Sequence, residues 1–211
     1  MFEKLLSFFA AERQRSSHAP LTTQLVGEKV ICRVPDVRDW KEWTQLRYLS
    51  EAFLQPWEPE WPKDATGRTF YMRHWQRLVR RWVQDREYCF LVVDRENGAL
   101  LGGITLTDIQ RNARQSATLG YWMGLPYTGR GHASEAARLV VDFGFKVLEL
   151  SRIEATCMPD NEPSLRLLRR IGMRKVGLAQ NYMQIGGKWR DHYVFEMLRP
   201  AQGAEKNTVT A

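Results

Sequence analysis

The chain reads as a mixed α/β protein, a sheet carrying helices on its faces, and three observations predict it. Short apolar runs of strand length, "YCFLVVD", "LLGGITLTDI" and "SATLGYWM", follow one another with only the turns "RENGA" and "RNARQ" between them. Such neighbours pair naturally as antiparallel strands. Apolar residues at helical spacing, Trp40, Trp43 and Leu46, mark a helix before that block. After residue 119 the pattern becomes strand, helix, strand, helix and a final hairpin, an order that builds one mixed sheet.

The elements follow in chain order. "LTTQLVGEKVICRVP" is a strand or hairpin, because Val30, Cys32 and Val34 alternate with Ile31 and Arg33. Asp36 caps the helix of Trp40, Trp43 and Leu46. "LQPWEPEWPKD" holds three prolines and must be a loop, since each removes a donor and fixes its backbone. A long helix is expected over 64–84, before the three strands above. A helix runs from "TGRGHAS" to about residue 149, and "RIEATCM" is the next strand. "DNEPS" opens the helix "LRLLRRIG", which Gly172 ends. "MRKVGLAQNYMQI", "GG" and "KWRDHYVFEML" form the closing hairpin. There is no internal repeat.

Composition bounds the class. With 211 residues, the chain suits one domain, expected over 20–199. Residues 1–19 are expected to be a partly helical or disordered extension, and the polar tail 200–211 to be disordered. Hydrophobic residues are 44% and charged residues 26%, ordinary values for a globular protein. No apolar run approaches the roughly 18 residues that span a membrane. The start "MFEKLLSFFAAERQR" lacks the cationic head and long apolar centre of a secretion signal. Cys32, Cys89 and Cys157 lie far apart, match no metal spacing and fit reduced, cytoplasmic thiols. The formal net charge of +7 favours anionic partners, a phosphorylated cofactor or RNA-rich surroundings. Oligomeric state stays open between monomer and dimer.

The chemistry points to "LGYWMGLPYTGRGHASEAAR". A helix entrance offers unpaired N–H groups and the positive end of the peptide dipoles to an anion. Gly129 and Gly131 strip away side chains that would hold a phosphate off, and Arg130 adds charge between them. The nucleotide P-loop pattern is absent and the dinucleotide fingerprint is incomplete, its third glycine position being Ser134. The plainer alternative is a glycine-rich turn before a core helix. Against it, "GYWMG" offers a strand edge to an extended, amide-bearing ligand, and "DNEPS" lies at a strand end, where open α/β sheets keep ligands. Coenzyme A, with its diphosphate and amide-rich arm, suits both.

"YTGRGHASEA" resembles the acetyl-CoA signature of the GNAT N-acetyltransferases. Gly131 and Ala133 match it, and Thr128 stands where Gln or Arg is usual. "GYWMG", "RIEATCMPDNEPSLRLLRRIGM" and "GGKWRDHYVFEML" resemble the branch that acetylates the N-terminal alanine of ribosomal proteins. The likeness covers roughly residues 20–200. It implies a GNAT-like acyl-CoA N-acyltransferase fold, a central, largely antiparallel twisted sheet flanked by helices. It also implies direct transfer from acetyl-CoA to an amine.

That resemblance assigns expected roles. Thr128, Gly129, Arg130, Gly131, His132, Ala133 and Ser134 hold the diphosphate, mostly by backbone N–H, with the His132 side chain facing solvent. Trp122 and Met123 lie nearest the acetyl end and act through backbone groups. Asn161 holds the pantetheine arm, unless it only caps its helix, and Ser164 serves the departing sulfur, with Tyr182 a second candidate. Glu58, or the Asp191–His192 pair, is the mild base. An α-amine needs no stronger one, its pKa being about 7.7–8.0 against about 10.4 for lysine. Cys157 has no visible paired base and is expected to be an inward-facing strand residue. Arg73, Arg77, Arg80 and Arg81 fall on one helix face and either meet solvent or dock near ribosomal RNA or an acidic peptide. Arg166, Arg169 and Arg170 either sit by the ribose phosphate or in water. The alternatives in acceptor are a small amine or an antibiotic; the alternative in class is a non-catalytic CoA- or RNA-binding module.

Overall fold

The computed structural model describes residues 18–200. The expectations for most of 1–19 and for 201–211 therefore lie outside the described residues. Within them, eight strands form one sheet in the order β1-β2-β3-β4-β5-β6-β8-β7. The strands are β1 (Gln24–Val26), β2 (Val30–Arg33), β3 (Tyr88–Asp94), β4 (Leu100–Gln110), β5 (Ser116–Met123), β6 (Arg152–Cys157), β7 (Arg174–Ile185) and β8 (Lys188–Leu198). Every pairing is antiparallel except β5 with β6.

Five α-helices complete the described body: α1 (Trp40–Leu49), α2 (Glu51–Leu54), α3 (Arg68–Val83), α4 (His132–Lys146) and α5 (Glu162–Arg170). Asp36 caps a short 3-10 turn, Val37–Asp39, that leads into α1. Helix α3 starts four residues later than expected, with Gly67 at its N-cap, because residues beyond Pro62 are spent on turns whose N–H groups bond back to Pro62 and Asp64. Helix α4 stops at Lys146, three residues short of expectation. Glu149 just beyond has a φ of 55°, which a helix cannot accommodate. Gly172, at φ 95°, ends α5 as predicted.

Strand alternation splits the core in two. Phe90, Ile104, Leu106 and Leu119 face Ala137, Val140, Val141 and Phe143 of α4. Leu91, Val93 and Leu100 face Trp43 and Leu46 of α1 and Tyr71, Trp75 and Val79 of α3. Strand β3 is thus buried on both faces, which explains its unbroken apolar run. Each fully buried large apolar side chain contributes roughly 1.5–3 kcal/mol. Ala19 belongs to the first core, its carbonyl accepting from Trp82 Nε1 at 2.7 Å.

One break in the sheet positions everything that follows. Strand β5 pairs with β6 only at Ser116, Ala117 and Thr118. From Leu119 to Met123 it stays bonded to β4 on one edge while β6 no longer covers the other. The register shows which groups that edge presents. Gly124 N–H donates to Leu101 O at 2.8 Å, and the pairing runs unbroken back from Gly102↔Met123 to Thr107↔Thr118. Backbone groups of an antiparallel strand alternate between its two edges. Those of Gly120 and Trp122 therefore serve β4, and those of Tyr121 and Met123 face the gap.

Candidate active site

The gap is bounded by two helix entrances of different chemistry. Helix α4 begins at Gly131, whose φ of 87° is left-handed, and it has no side-chain cap. Gly129 has a φ of 75°, and a Cβ at either glycine would meet nothing within 4 Å. The N–H groups of the first turn are thus uncapped and approachable, a cradle for an anion. Thr128 turns its hydroxyl back to Leu125 O at 3.0 Å, and Arg130 is exposed. His132 corrects the expectation of a solvent-facing side chain: it is buried, and its Nδ1 has no hydrogen-bond partner. The reason is that the first turn of α4 tucks into the body, burying Ser134 as well.

Helix α5 is capped. Asn161 Oδ1 accepts from Ser164 N–H at 3.2 Å. The cap uses the carbonyl end of the amide, and the NH₂ end carries the donors. The Ser164 side chain is near enough to the Tyr121 phenol and the Cys157 thiol to offset part of the effect of burial on each. The thiol itself donates to Met158 O at 3.4 Å and Asn161 O at 3.7 Å. Burial holds the Tyr121 phenol well above its ordinary range, so it stays protonated and can donate. Burial likewise pushes Cys157 up to about 11 and Cys32 and Cys89 to about 12. None of the three is a thiolate at neutral pH. Tyr121 is the residue sequence reasoning missed. It lies inside "GYWMG", a segment whose sequence points to backbone contacts, and only the approach of α5 to β5 brings its phenol near Ser164.

On the opposite face of β5 lies a cavity of about 350 Å³. Trp43, Phe70, Tyr71, Trp75 and Trp122 wall it, and Gly103, Thr105 and Gly120 lie along the sheet side. Glu58 reaches it from the proline-rich loop. Its two oxygens take Arg47 Nη1 at 2.9 Å and Nη2 at 2.6 Å, and Trp61 Nε1 donates at 2.7 Å. The Arg47 guanidinium stands 3.9 Å from the Trp61 ring centre, 4.9 Å from Trp122 and 5.6 Å from Trp43, within cation–π range. Glu87, 4% exposed, takes Arg77 and Arg81 on one oxygen at 2.8 and 2.5 Å. His74, stacked on Phe70, is held down to about 4 by burial, then by Arg77 and Arg47.

The remaining predicted residues lie apart. Trp122 turns its own backbone groups to Gly103, so its indole, beneath Arg47, is what it offers the cavity. Met123 is buried beside Gly102, its backbone facing the gap. Tyr182 is exposed on a bulge of β7, its ring 5.3 Å from His192. Asp191 accepts from Asn181 N–H at 2.8 Å, and buried His192 donates Nδ1–H to Arg190 O at 3.1 Å. The arginine stripe of α3 is largely paired, Arg73 with Asp64 and Arg77 and Arg81 with Glu87. Arg166 pairs with Glu162 at 3.6 Å. Among the described residues there is no metal-binding cluster and no helix long and apolar enough to cross a membrane.

A parted sheet edge beside an uncapped, glycine-opened helix suits an extended ligand with a diphosphate, as an acyl-CoA-dependent acyltransferase requires. Residues 29–174 match the acetyltransferase (GNAT) domain, and the chain belongs to that family. It is 41% identical to the probable N-acetyltransferase YjcK of Bacillus subtilis over 176 residues, 83% of this chain and 97% of that protein. It is 27% identical to the ribosomal protein uS5 alanine N-acetyltransferase of Escherichia coli, over 84% of this chain and 91% of that one. Among solved structures, Mycobacterium smegmatis RimJ in complex with CoA-disulfide superposes with a TM-score of 0.77 at 31% identity, covering 80% and 81% of the two chains. The ribosomal-protein-S5-alanine acetyltransferase of Vibrio fischeri gives 0.80 at 25% identity, covering 85% and 98%. The chain is an N-acetyltransferase, and its acetyl donor is acetyl-CoA.

Proposed function

We propose that this acetyltransferase modifies the N-terminal α-amine of a protein, with alanine of a ribosomal protein as the first acceptor to test and the cytoplasm as the place of action. The observation that carries the reading is the cavity beside the open edge of β5. Its volume admits a residue or two of an acceptor, and its walls are mostly aromatic. Both of its carboxylates are already matched by arginines, Glu58 by Arg47 and Glu87 by Arg77 and Arg81. A polyamine would gain little there, because a polycation needs uncompensated carboxylates. A peptide end carrying one amine has no such need. The likeness to the uS5 alanine N-acetyltransferase supports the same acceptor.

Four jobs fall to the chain's own residues. The amides of His132, Ala133 and Ser134 receive the diphosphate, with Arg130 adding charge and Gly129 and Gly131 clearing the approach. Open-edge groups of Tyr121 and Met123 bond the extended arm and the carbonyl to be polarised, and the donor end of Asn161 steadies the arm. Bound acetyl-CoA supplies an activated acyl group and a thiol leaving group. Ser164, backed by the protonated Tyr121 phenol, donates to the departing sulfur. Glu58 accepts the acceptor's proton, directly or through water, while Arg47 fixes its orientation. Three of the four arginines predicted to form a basic stripe are ion-paired, so RNA contact adds little to this reading.

Thiol release from acetyl-CoA tests it, with an alanine-initiated peptide, the same peptide blocked at its N-terminus, and spermidine as acceptors. Release with the free peptide alone supports the reading. Equal or greater release with spermidine overturns it in favour of a small-amine acceptor.

A further inference from the structure

Three glycines lie close together in β4 and β5, two of them, Gly103 and Gly120, lining the acceptor cavity, and two of the three are there for want of room. A Cβ on Gly102 would come within 2.2 Å of Trp122 O, and one on Gly103 within 2.5 Å of Trp122 Nε1. Gly120 differs. A Cβ there would meet nothing within 4 Å, and its φ lies outside the left-handed region. It faces Thr105 in an uninterrupted stretch of register, so no bulge requires it. Glycine in the interior of a strand weakens the strand, since it gives up backbone entropy and packs nothing. Neither geometry nor packing accounts for Gly120. Its position does: it lines the cavity between Thr105 and Trp122, and its neighbour Tyr121 presents its backbone to the open edge. A glycine kept where a side chain would fit is a mark of close approach by another molecule.

We infer that Gly120 is a specificity-determining residue, leaving the space that the acceptor's first residue occupies as its amine reaches the acetyl group. The inference rests on the α-amine reading above and narrows it to peptides whose terminal residue lies flat against β5. The acceptor's first Cα and Cβ take the volume that a side chain at 120 would fill. Acceptors beginning with glycine, which carry no Cβ, therefore tolerate a substitution at 120 better than acceptors beginning with alanine.

Gly120→Ala and Gly120→Val of the full chain, assayed with glycine- and alanine-initiated peptides of otherwise identical sequence, test it. Melting temperature is expected to hold or rise in both variants, and calorimetric affinity for acetyl-CoA to stay within about twofold. In Gly120→Val, which adds three carbons, kcat/KM for the alanine peptide falls about tenfold or more, since even one methylene misplaced in a pocket is worth about that much. The loss with the glycine peptide is smaller, so the ratio between acceptors shifts in favour of glycine. Equal losses with both peptides, unchanged acceptor kinetics, or a lowered melting temperature in both variants would overturn the assignment and make Gly120 a structural residue. A wild-type protein that acetylates a small amine and no peptide sinks the α-amine reading instead. The same variants assayed with that amine then decide whether Gly120 bounds the acceptor space: an undiminished rate says it does not.

Discussion

Ser164 is where two parts of the sequence with no local relation meet: its hydroxyl lies by the phenol of Tyr121 from β5 and the thiol of Cys157 from β6, and influences the titration of both. A hydroxyl so placed can pass a proton, and a buried phenol kept in its neutral form can supply one. Ser164→Ala is expected to lower kcat roughly a hundredfold, the usual scale of general acid catalysis, while leaving acetyl-CoA affinity unchanged by calorimetry. Turnover equal to wild type would remove Ser164 from the chemistry. Some of this was legible in the residues. "NEPS" announced a capped helix, and Asn161 does cap it. The partnership with Tyr121 was not legible, because 43 residues separate the two side chains and only the pairing of β5 with β6 relates them. His132 misled for a related reason. A histidine in the first turn of a helix reads as exposed until the turn is seen to tuck into the body.

At the scale of elements, the two helix entrances divide the labour. Asn161 closes the amides of α5 with a side chain, and Gly131 leaves those of α4 open. Gly131→Ala imposes a left-handed φ on a residue with a Cβ, a cost of about 1–2 kcal/mol, and distorts the cradle in doing so. The expected result is a lower melting temperature together with weaker calorimetric binding of acetyl-CoA; loss of stability with undiminished binding would mean that the anion is held elsewhere. The motif "TGRGHAS" made this entrance readable, since glycines on both sides of an arginine have few other uses at the start of a helix. The boundaries of α3 and α4 were less readable. Prolines and turn carbonyls consumed the start of α3, and a positive φ at Glu149 follows the end of α4.

The whole molecule is a sheet that parts, with the acetyl donor's arm assigned to the parted edge and the acceptor to the cavity on one face. The order of strands and helices predicted a mixed sheet with antiparallel neighbours at its short turns, and the family resemblance implied that the sheet is largely antiparallel, as it is. Neither could predict where β6 leaves β5, which depends on packing between distant elements. The acceptor side was the least legible part, because Arg47, Glu58, His74 and Glu87 come from separate elements with no shared motif. That side also makes stability depend on pH. The folded pKa of His74, about 4, lies below its ordinary 6.5, so its neutral form belongs to the folded state. Its contribution is complete above pH 6.5 and is lost as pH falls from 6.5 toward 4, where the unfolded chain binds the extra proton. His74→Phe, which keeps the stack on Phe70, is expected to flatten the fall in urea midpoint between those pH values; an unaltered slope would place the acid sensitivity in other groups.

The most direct test of the central claim is mass-spectrometric location of the acetyl group after reaction with acetyl-CoA and a peptide carrying both an N-terminal alanine and an internal lysine. The account predicts acetylation at the α-amine and none at the lysine. Acetyl on the lysine alone, or an unmodified peptide, would contradict it.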